Sequence, residues 1–491
     1  MFVQGAMMAV IAAFVLNAGL NFILGLVIAK LLGPADFGRF ALATAGAIVL
    51  NTVLFEWLRL SATRFYSARV RANEPWIRHG LDRAYAALGL VLLAAALLCA
   101  GFGVEAGPES RGALLAGTAL AALGIGVFDY HAALARARFD GGLYFSLVAV
   151  KNAVAFTLMA ATAWYLPQPA YVLVAFAISQ CATVLLLRGP LRDADAPVHR
   201  VRLHETWRLF MVYGLPLIAA NAAYQAMPFF NRATIAAQAG FAEAGYFALA
   251  ADVTLRSLST LGTALDLLLF QLAVRAEEHH GVAEAERQVA RNVATVVALL
   301  LPCAVGFWAV LPALQALVVP EAYRGPFATY AMLLIPGLFC LAMMNFALNP
   351  VFQIRRRTMP VIAAAVLGLA VNGAGLLVLP AYLGPTGIAV AQTAGLAAAF
   401  VALALRALTG PDRLRLPWRE IASAGVACLV MGLALAPLRT LPPVTALALG
   451  VPLGAALYSA LVWCFDIAGL RSVVEDRFRK RHPAPAESST A

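Results

Sequence analysis

Gly33-Pro34-Ala35-Asp36-Phe37-Gly38-Arg39-Phe40-Ala41-Leu42-Ala43 aligns without a gap to Gly240-Phe241-Ala242-Glu243-Ala244-Gly245-Tyr246-Phe247-Ala248-Leu249-Ala250, at an offset of 207 residues. Two glycines, an acid and the Phe-Ala-Leu-Ala run recur at matching places. Each copy separates two apolar runs long enough to cross a bilayer, which takes about 20 residues as helix. The copies therefore mark one turn, between the first and second helix, in two repeats of a single unit. Gly33 and Gly38 are expected in a tight turn, where glycine takes φ > 0 without a steric cost.

Outward from this pair the chain is apolar almost throughout. Of 491 residues, 62% are hydrophobic and 12% charged, and the mean hydropathy is +0.82. A soluble domain carries about 25% charge, and so much apolar surface is tolerated only in lipid. Spans are expected near 9–31, 41–60, 85–103, 113–134, 142–165, 169–188, 208–231, 245–273, 290–311, 326–353, 359–380, 385–406, 420–438 and 443–467. The predicted fold is thus all-α, a polytopic membrane protein of about fourteen transmembrane helices. Six spans separate the two copies of the turn, an even number, so both repeats have the same orientation. The expected organisation is an N-terminal six-helix lobe (1–206), a parallel C-terminal six-helix lobe (207–408), two appended helices (409–469) and a basic tail (470–491). Lobes so related meet about an axis along the membrane normal and enclose a cavity that can rock between faces.

The net charge of +11 sits in short clusters between apolar runs, which is the pattern of cytoplasmic loops and argues against nucleic-acid binding. Even-numbered loops hold 23 of the 36 basic residues and odd-numbered loops six. Basic loops stay inside, so both termini are expected in the cytoplasm. The run from about Ala6 to Leu32 reads as a retained first helix, not a cleaved leader. Six scattered cysteines indicate neither a disulfide framework nor a metal site. There is no Walker A loop, no GxSxG and no HExxH, so no catalytic residue, cofactor or metal is expected. The one DxD, Asp193-Ala194-Asp195, reads as a solvated loop.

Ionisable groups inside spans are costly and point to a cavity or pathway. Lys151 lies near mid-membrane, too deep to snorkel. Asp252 and Arg256 are four apart on one helical face and able to pair, and Asp266 falls near the same stripe. Glu56 and Arg59 lie near one end of the second span, where Arg59 can also snorkel. Asp129 and His131, late in the fourth, suit a structural pair or a functional one. A basic midplane cavity suits an anionic substrate, so Arg59, Lys151 and Arg256 are the binding candidates. Glu56, Asp252, Asp266, Asp129 and His131 are candidates for ion coupling or salt bridges. Pro216, Pro228, Pro302, Pro336 and Pro350 are possible hinges.

The stretch Ala29–Ala43, then Tyr213-Gly214-Leu215-Pro216-Leu217 and Tyr382-Leu383-Gly384-Pro385-Thr386-Gly387-Ile388-Ala389, resemble in order and spacing the Wzx-type polysaccharide flippases. These belong to the multidrug/oligosaccharidyl-lipid/polysaccharide exporter superfamily. The resemblance covers essentially the whole chain. It implies a multi-pass carrier of the bacterial inner membrane that moves an undecaprenyl-diphosphate-linked oligosaccharide outward, for O-antigen, capsule or exopolysaccharide synthesis. It also implies a polysaccharide polymerase and a chain-length regulator as partners. Related lipid II flippases line their cavity with arginines on the first, second and eighth spans. Here Arg59 and Arg256 match, but the first span has none, which disfavours a peptidoglycan precursor. A multidrug or metabolite cation antiporter on the same fold stays open. An O-antigen polymerase or ligase would need a large periplasmic loop.

Overall fold

The computed structural model describes residues 2–66, 74–103, 110–193, 200–355, 357–409, 413–467 and 471, and no described residue is in a strand. In chain order the helices are α1 (Phe2–Leu54), α2 (Glu56–Phe65), α3 (Pro75–Gly103), α4 (Arg111–Ala137), α5 (Gly141–Tyr165), α6 (Pro169–Leu187), α7 (Arg200–Ala239) and α8 (Phe241–His280). There follow α9 (Val282–Leu317), α10 (Pro326–Met343), α11 (Asn349–Ile354), α12 (Met359–Leu383), α13 (Thr386–Leu408), α14 (Trp418–Leu435) and α15 (Pro443–Phe465). A π-helical turn, Met344–Leu348, joins α10 to α11.

Among the described residues, 11 helical stretches are long and apolar enough to cross a membrane. A twelfth is added when His204–Leu215 and Ile218–Ala239, bent by 59°, are taken together. The chain is a multi-pass membrane protein. In hydrocarbon the backbone must satisfy its own hydrogen bonds, which is why the apolar runs are helical. Leu97, Leu377 and Leu433 are 66%, 86% and 67% exposed, as lipid-facing side chains should be. Polar residues start the helices of the first hairpins. The Ser110 side chain accepts from the Ala113 N–H (3.0 Å) and Asp140 from that of Leu143 (2.9 Å), each satisfying an orphan donor.

The repeated turn proves tighter than a loop. Leu16–Leu54 is one stretch of 39 residues, about 58 Å at 1.5 Å per residue, roughly twice the hydrocarbon thickness. It is broken at one residue, Gly33, with φ 74°. Gly240, the matching residue of the second copy, has φ 90° and separates α7 from α8. The second glycines of the two copies meet. A Cβ on Gly38 would fall on the Phe241 carbonyl oxygen, and one on Gly245 would fall on that of Pro34. The contact is reciprocal, each glycine meeting the residue after the other copy's first glycine, as a two-fold relation between the copies produces.

The chain divides into two compact units, the first comprising Met1–Arg256, Val319–Gly337 and Thr358–Ala399. In it α4 is packed through small residues: Ala121, Ala122, Ala133 and Ala135 are fully buried, and a Cβ on Gly124 would press on Ala177 of α6. Small side chains let helices approach closely where there is no hydrophobic drive between them and lipid. Beside the glycine crossing, the Tyr323 hydroxyl donates to the Ala29 carbonyl (3.0 Å) and that of Tyr330 to Glu243 (2.5 Å).

The second unit comprises Ser257–Val318, Leu338–Arg357 and Phe400–Ala491. There α9 carries α14 and α15, with Ala298 against Ala424, Ala427 and Ile467, and Ala309 against Met431 and Leu435. The Tyr458 hydroxyl closes this packing on the Ala298 carbonyl at 2.5 Å. Arg439 stacks 4.1 Å from the Trp308 ring centroid. Of the prolines read as hinges, Pro302 and Pro336 lie inside α9 and α10, and Pro350 opens α11.

Candidate functional site

Lys151 stands at the middle of the 25-residue α5. Its ammonium donates to Oδ1 of Asn17 on α1 at 2.9 Å, and the Phe128 ring of α4 lies 5.1 Å from Nζ. The Asn21 amide, one turn beyond Asn17, also donates to Asn17 Oδ1 (2.8 Å) and to the Asn17 carbonyl (2.7 Å). It reaches across to Oδ1 of Asn152 as well, at 3.3 Å. A clasp of three amides and one ammonium thus joins α1 to α5.

Charged residues from three further helices surround the clasp. Asp129 of α4 is within electrostatic reach of Lys151, Arg59, Arg136 and Glu56. Arg256 of α8 is within reach of Lys151. Glu56 and Arg59 on α2 form a bidentate pair, with Arg59 Nε 2.8 Å from Oε2 and Nη2 against Oε1. The Arg136 guanidinium lies 5.6 Å from the Tyr144 ring, and its buried Nε has no hydrogen-bond partner among the described residues. Lys151 is thus linked electrostatically to Arg256 directly and to Arg59 through Asp129, with Glu56 paired to Arg59.

Other expectations need correcting. The carboxylate of Asp252, read as able to pair with Arg256, pairs with Arg232 of α7, whose Nη2 lies 2.6 Å from Oδ1. The i,i+4 rule sees only one helix, whereas α7 supplies a guanidinium from the side. Arg232 is 7% exposed and also donates to the Ala41 carbonyl at 2.9 Å. Its cationic head is thus tied to α1 and α8 together. His131 places Nδ1 2.8 Å from the Val127 carbonyl, its own preceding turn, and lies edge-on to Tyr130. A structural pair of Asp129 with His131 is not what forms, because residues two apart do not share a helical face. The side chain of Asp266 lies outside the described residues.

Asp193 is no solvated loop residue. It pairs with Arg138 at 2.7 Å and accepts from the Tyr66 hydroxyl. Arg138 further donates to the Pro190 and Leu191 carbonyls, at 2.6 and 2.7 Å. Arg78 pairs with Asp82 at 2.9 Å, and Tyr130 donates to the same carboxylate at 2.6 Å. Burial, then the bond to Asp193, push the Tyr66 phenol above its usual pKa range, so it stays a donor. Asp195 lies outside the described residues. Among the described residues no group of His, Cys, Asp and Glu is able to hold a metal.

Sequence reasoning missed Asn17, Asn21, Arg136 and Arg232. The asparagines were visible as polar residues one turn apart inside an apolar run. Arg232 was hidden because the apolar run ends at 231, while α7 continues to Ala239. A second buried network was missed too: Asn231 donates to Gln392 (2.7 Å) and accepts from Asn372 (2.9 Å).

No protein-family model and no curated protein matches the sequence. Solved structures do match in fold. The chain is similar to the lipid II flippase MurJ in an inward closed conformation, with TM-score 0.73 and 11% identity over 94% of this chain and 99% of that one. It is also similar to an inward-facing multidrug resistance MATE transporter of the MOP superfamily, with TM-score 0.53, 16% identity, and 80% and 93% coverage. For the Vibrio cholerae MATE transporter VcmN the values are 0.54, 14%, 83% and 97%. The chain shares the fold of these solved transporters.

Proposed function

We propose that the chain is a flippase that carries an undecaprenyl-diphosphate-linked oligosaccharide repeat unit across the bacterial inner membrane by alternating access, for surface polysaccharide synthesis. The observation that carries this reading is the Lys151 ammonium, placed in the middle of α5 on a neutral amide oxygen with further cations nearby. Among the described residues the cations Lys151, Arg59, Arg136 and Arg256 and the carboxylates Glu56 and Asp129 are linked electrostatically through Asp129 and Lys151. Cations within apolar helices are expensive, and a diphosphate engages them through charge-assisted hydrogen bonds. The near end-to-end likeness to a lipid II flippase supports a lipid-linked cargo. The absence of an arginine on α1 up to Gly33 favours a repeat unit over a peptidoglycan precursor.

On this reading there are fourteen crossings. Leu16–Leu54 is counted twice because of its break, the bent pair once, and the more polar α8 once. Two six-helix lobes, 1–206 and 207–408, then precede a pair of helices within 409–469. Arginine-rich ends lie in the cytoplasm with both termini, and a polymerase and a chain-length regulator act on the delivered unit.

The test is complementation of a strain whose own repeat-unit flippase is deleted. The wild-type chain restores surface glycan, and Lys151→Ala or Arg256→Ala does not. Intact glycan in both variants, with altered drug susceptibility, would replace the flippase by a cation antiporter of the same fold.

A further inference from the structure

Lys151 is held by a neutral group, although carboxylates are at hand. Its ammonium donates to the amide oxygen of Asn17 at 2.9 Å, and the Phe128 ring 5.1 Å away is neutral as well. The acceptor role of Asn17 Oδ1 is doubly determined, since Asn21 Nδ2 donates to the same atom at 2.8 Å. Turning the amide over would set two donors against a third, so the oxygen must face the ammonium.

Neither nearby carboxylate takes the place of Asn17 as the hydrogen-bond acceptor of Lys151 among the described residues. Glu56 is bound bidentately by Arg59. Asp129 is shared among Lys151, Arg59 and Arg136, and the other charge facing Lys151 is the cationic Arg256. An amide oxygen lowers the cost of burying an ammonium but leaves its charge uncancelled. A carboxylate at position 17 would lower that cost and cancel the charge too. One of the three ammonium hydrogens is used on Asn17, which leaves two for a ligand.

We propose that Asn17 is a positioning residue that holds the Lys151 ammonium in place while leaving its positive charge available to the phosphate oxygens of the transported headgroup. This rests on the anionic-substrate reading above and extends it to a residue that need not touch the substrate.

The experiment is isothermal titration of the purified full-length chain in detergent with inorganic pyrophosphate, alongside the thermal midpoint of each unliganded variant. Asn17→Gln, which keeps an amide acceptor, retains affinity within about threefold. Asn17→Asp cancels the ammonium charge and weakens binding by about 10- to 100-fold, the range for one charge-assisted contact. Its thermal midpoint does not fall, because it gains an ion pair. Asn17→Asp with Asp129→Asn restores the number of carboxylates and recovers most of the affinity. If Asn17→Asp fails to fold, Asn17→Leu serves, with an expected loss of about tenfold. Wild-type affinity in Asn17→Asp or Asn17→Leu, or an equal loss in Asn17→Gln, overturns the positioning role alone. A wild-type chain that does not bind pyrophosphate overturns the anionic site as well.

Discussion

Replacing Arg138 by alanine removes the hub that fastens the segment after α6 to the ends of α2 and α4. The side chain is 10% exposed and donates to Tyr66, Asp193 and the carbonyls of Pro190 and Leu191. Removing one member of a buried charged network costs about 3–5 kcal/mol, since the partner carboxylate stays behind unpaired. Asp193 is 24% exposed and keeps its contact with Tyr66 and a 3.9 Å pairing with Arg78, so the lower end, about 3 kcal/mol, applies. Because 1.4 kcal/mol is a factor of ten in an equilibrium constant, local opening of this segment should become about 100-fold more frequent. Hydrogen exchange with mass spectrometry on peptides spanning 188–193 reads this directly. Peptides from α9, in the other unit, serve as the internal control. Exchange that rises equally in both would mean global destabilisation, and unchanged exchange at 188–193 would refute the clamp.

Gly245→Ala should lower the thermal midpoint, at a cost of about 1–3 kcal/mol for overpacking, because its Cβ meets the Pro34 backbone. Gly19→Ala, with nothing within 4 Å of the new Cβ, should leave the midpoint unchanged, and equal shifts would argue against the glycine crossing. Asp252→Ala should destabilise by about 3–5 kcal/mol by stranding the Arg232 charge, whereas Asp252→Ala with Arg232→Met should recover much of the loss. A double variant as unstable as the single one would deny the pair its place, with denaturation in detergent as the measure. Tyr323→Phe removes the bond to the Ala29 carbonyl and should cost about 1 kcal/mol in the same assay; no shift would mean that the bond is not formed in the folded chain.

The fold was legible where period and punctuation agreed. Gly33 and Gly240 announced themselves because backbone geometry there admits little else, and their repetition gave the duplication. The depth of Lys151 in an unbroken apolar run marked it as a candidate without knowledge of its partners. Partners were another matter. Asp252 chose a guanidinium from a neighbouring helix, and spacing along one helix carries no information about neighbours. Arg232 was missed because a charge at the end of an apolar run looks like a loop, although the helix continues through it. Asp193 looked solvated for the same reason: composition does not distinguish a loop charge in water from one clamped by Arg138. Asn17 and Asn21 were passed over because amides are uncharged, and a search for charges does not stop at them.

Translocation itself remains the most direct measurement. Purified protein is reconstituted into liposomes with a fluorescent undecaprenyl-diphosphate-linked oligosaccharide, and its passage to the opposite leaflet is followed by quenching with a membrane-impermeant reagent. The wild-type chain should move the lipid-linked sugar, and Lys151→Ala should reduce the rate by at least about tenfold, as expected for a lost charge-assisted contact. Protein-free rates with the wild-type chain, or an undiminished rate in Lys151→Ala, would contradict a flippase built around that ammonium.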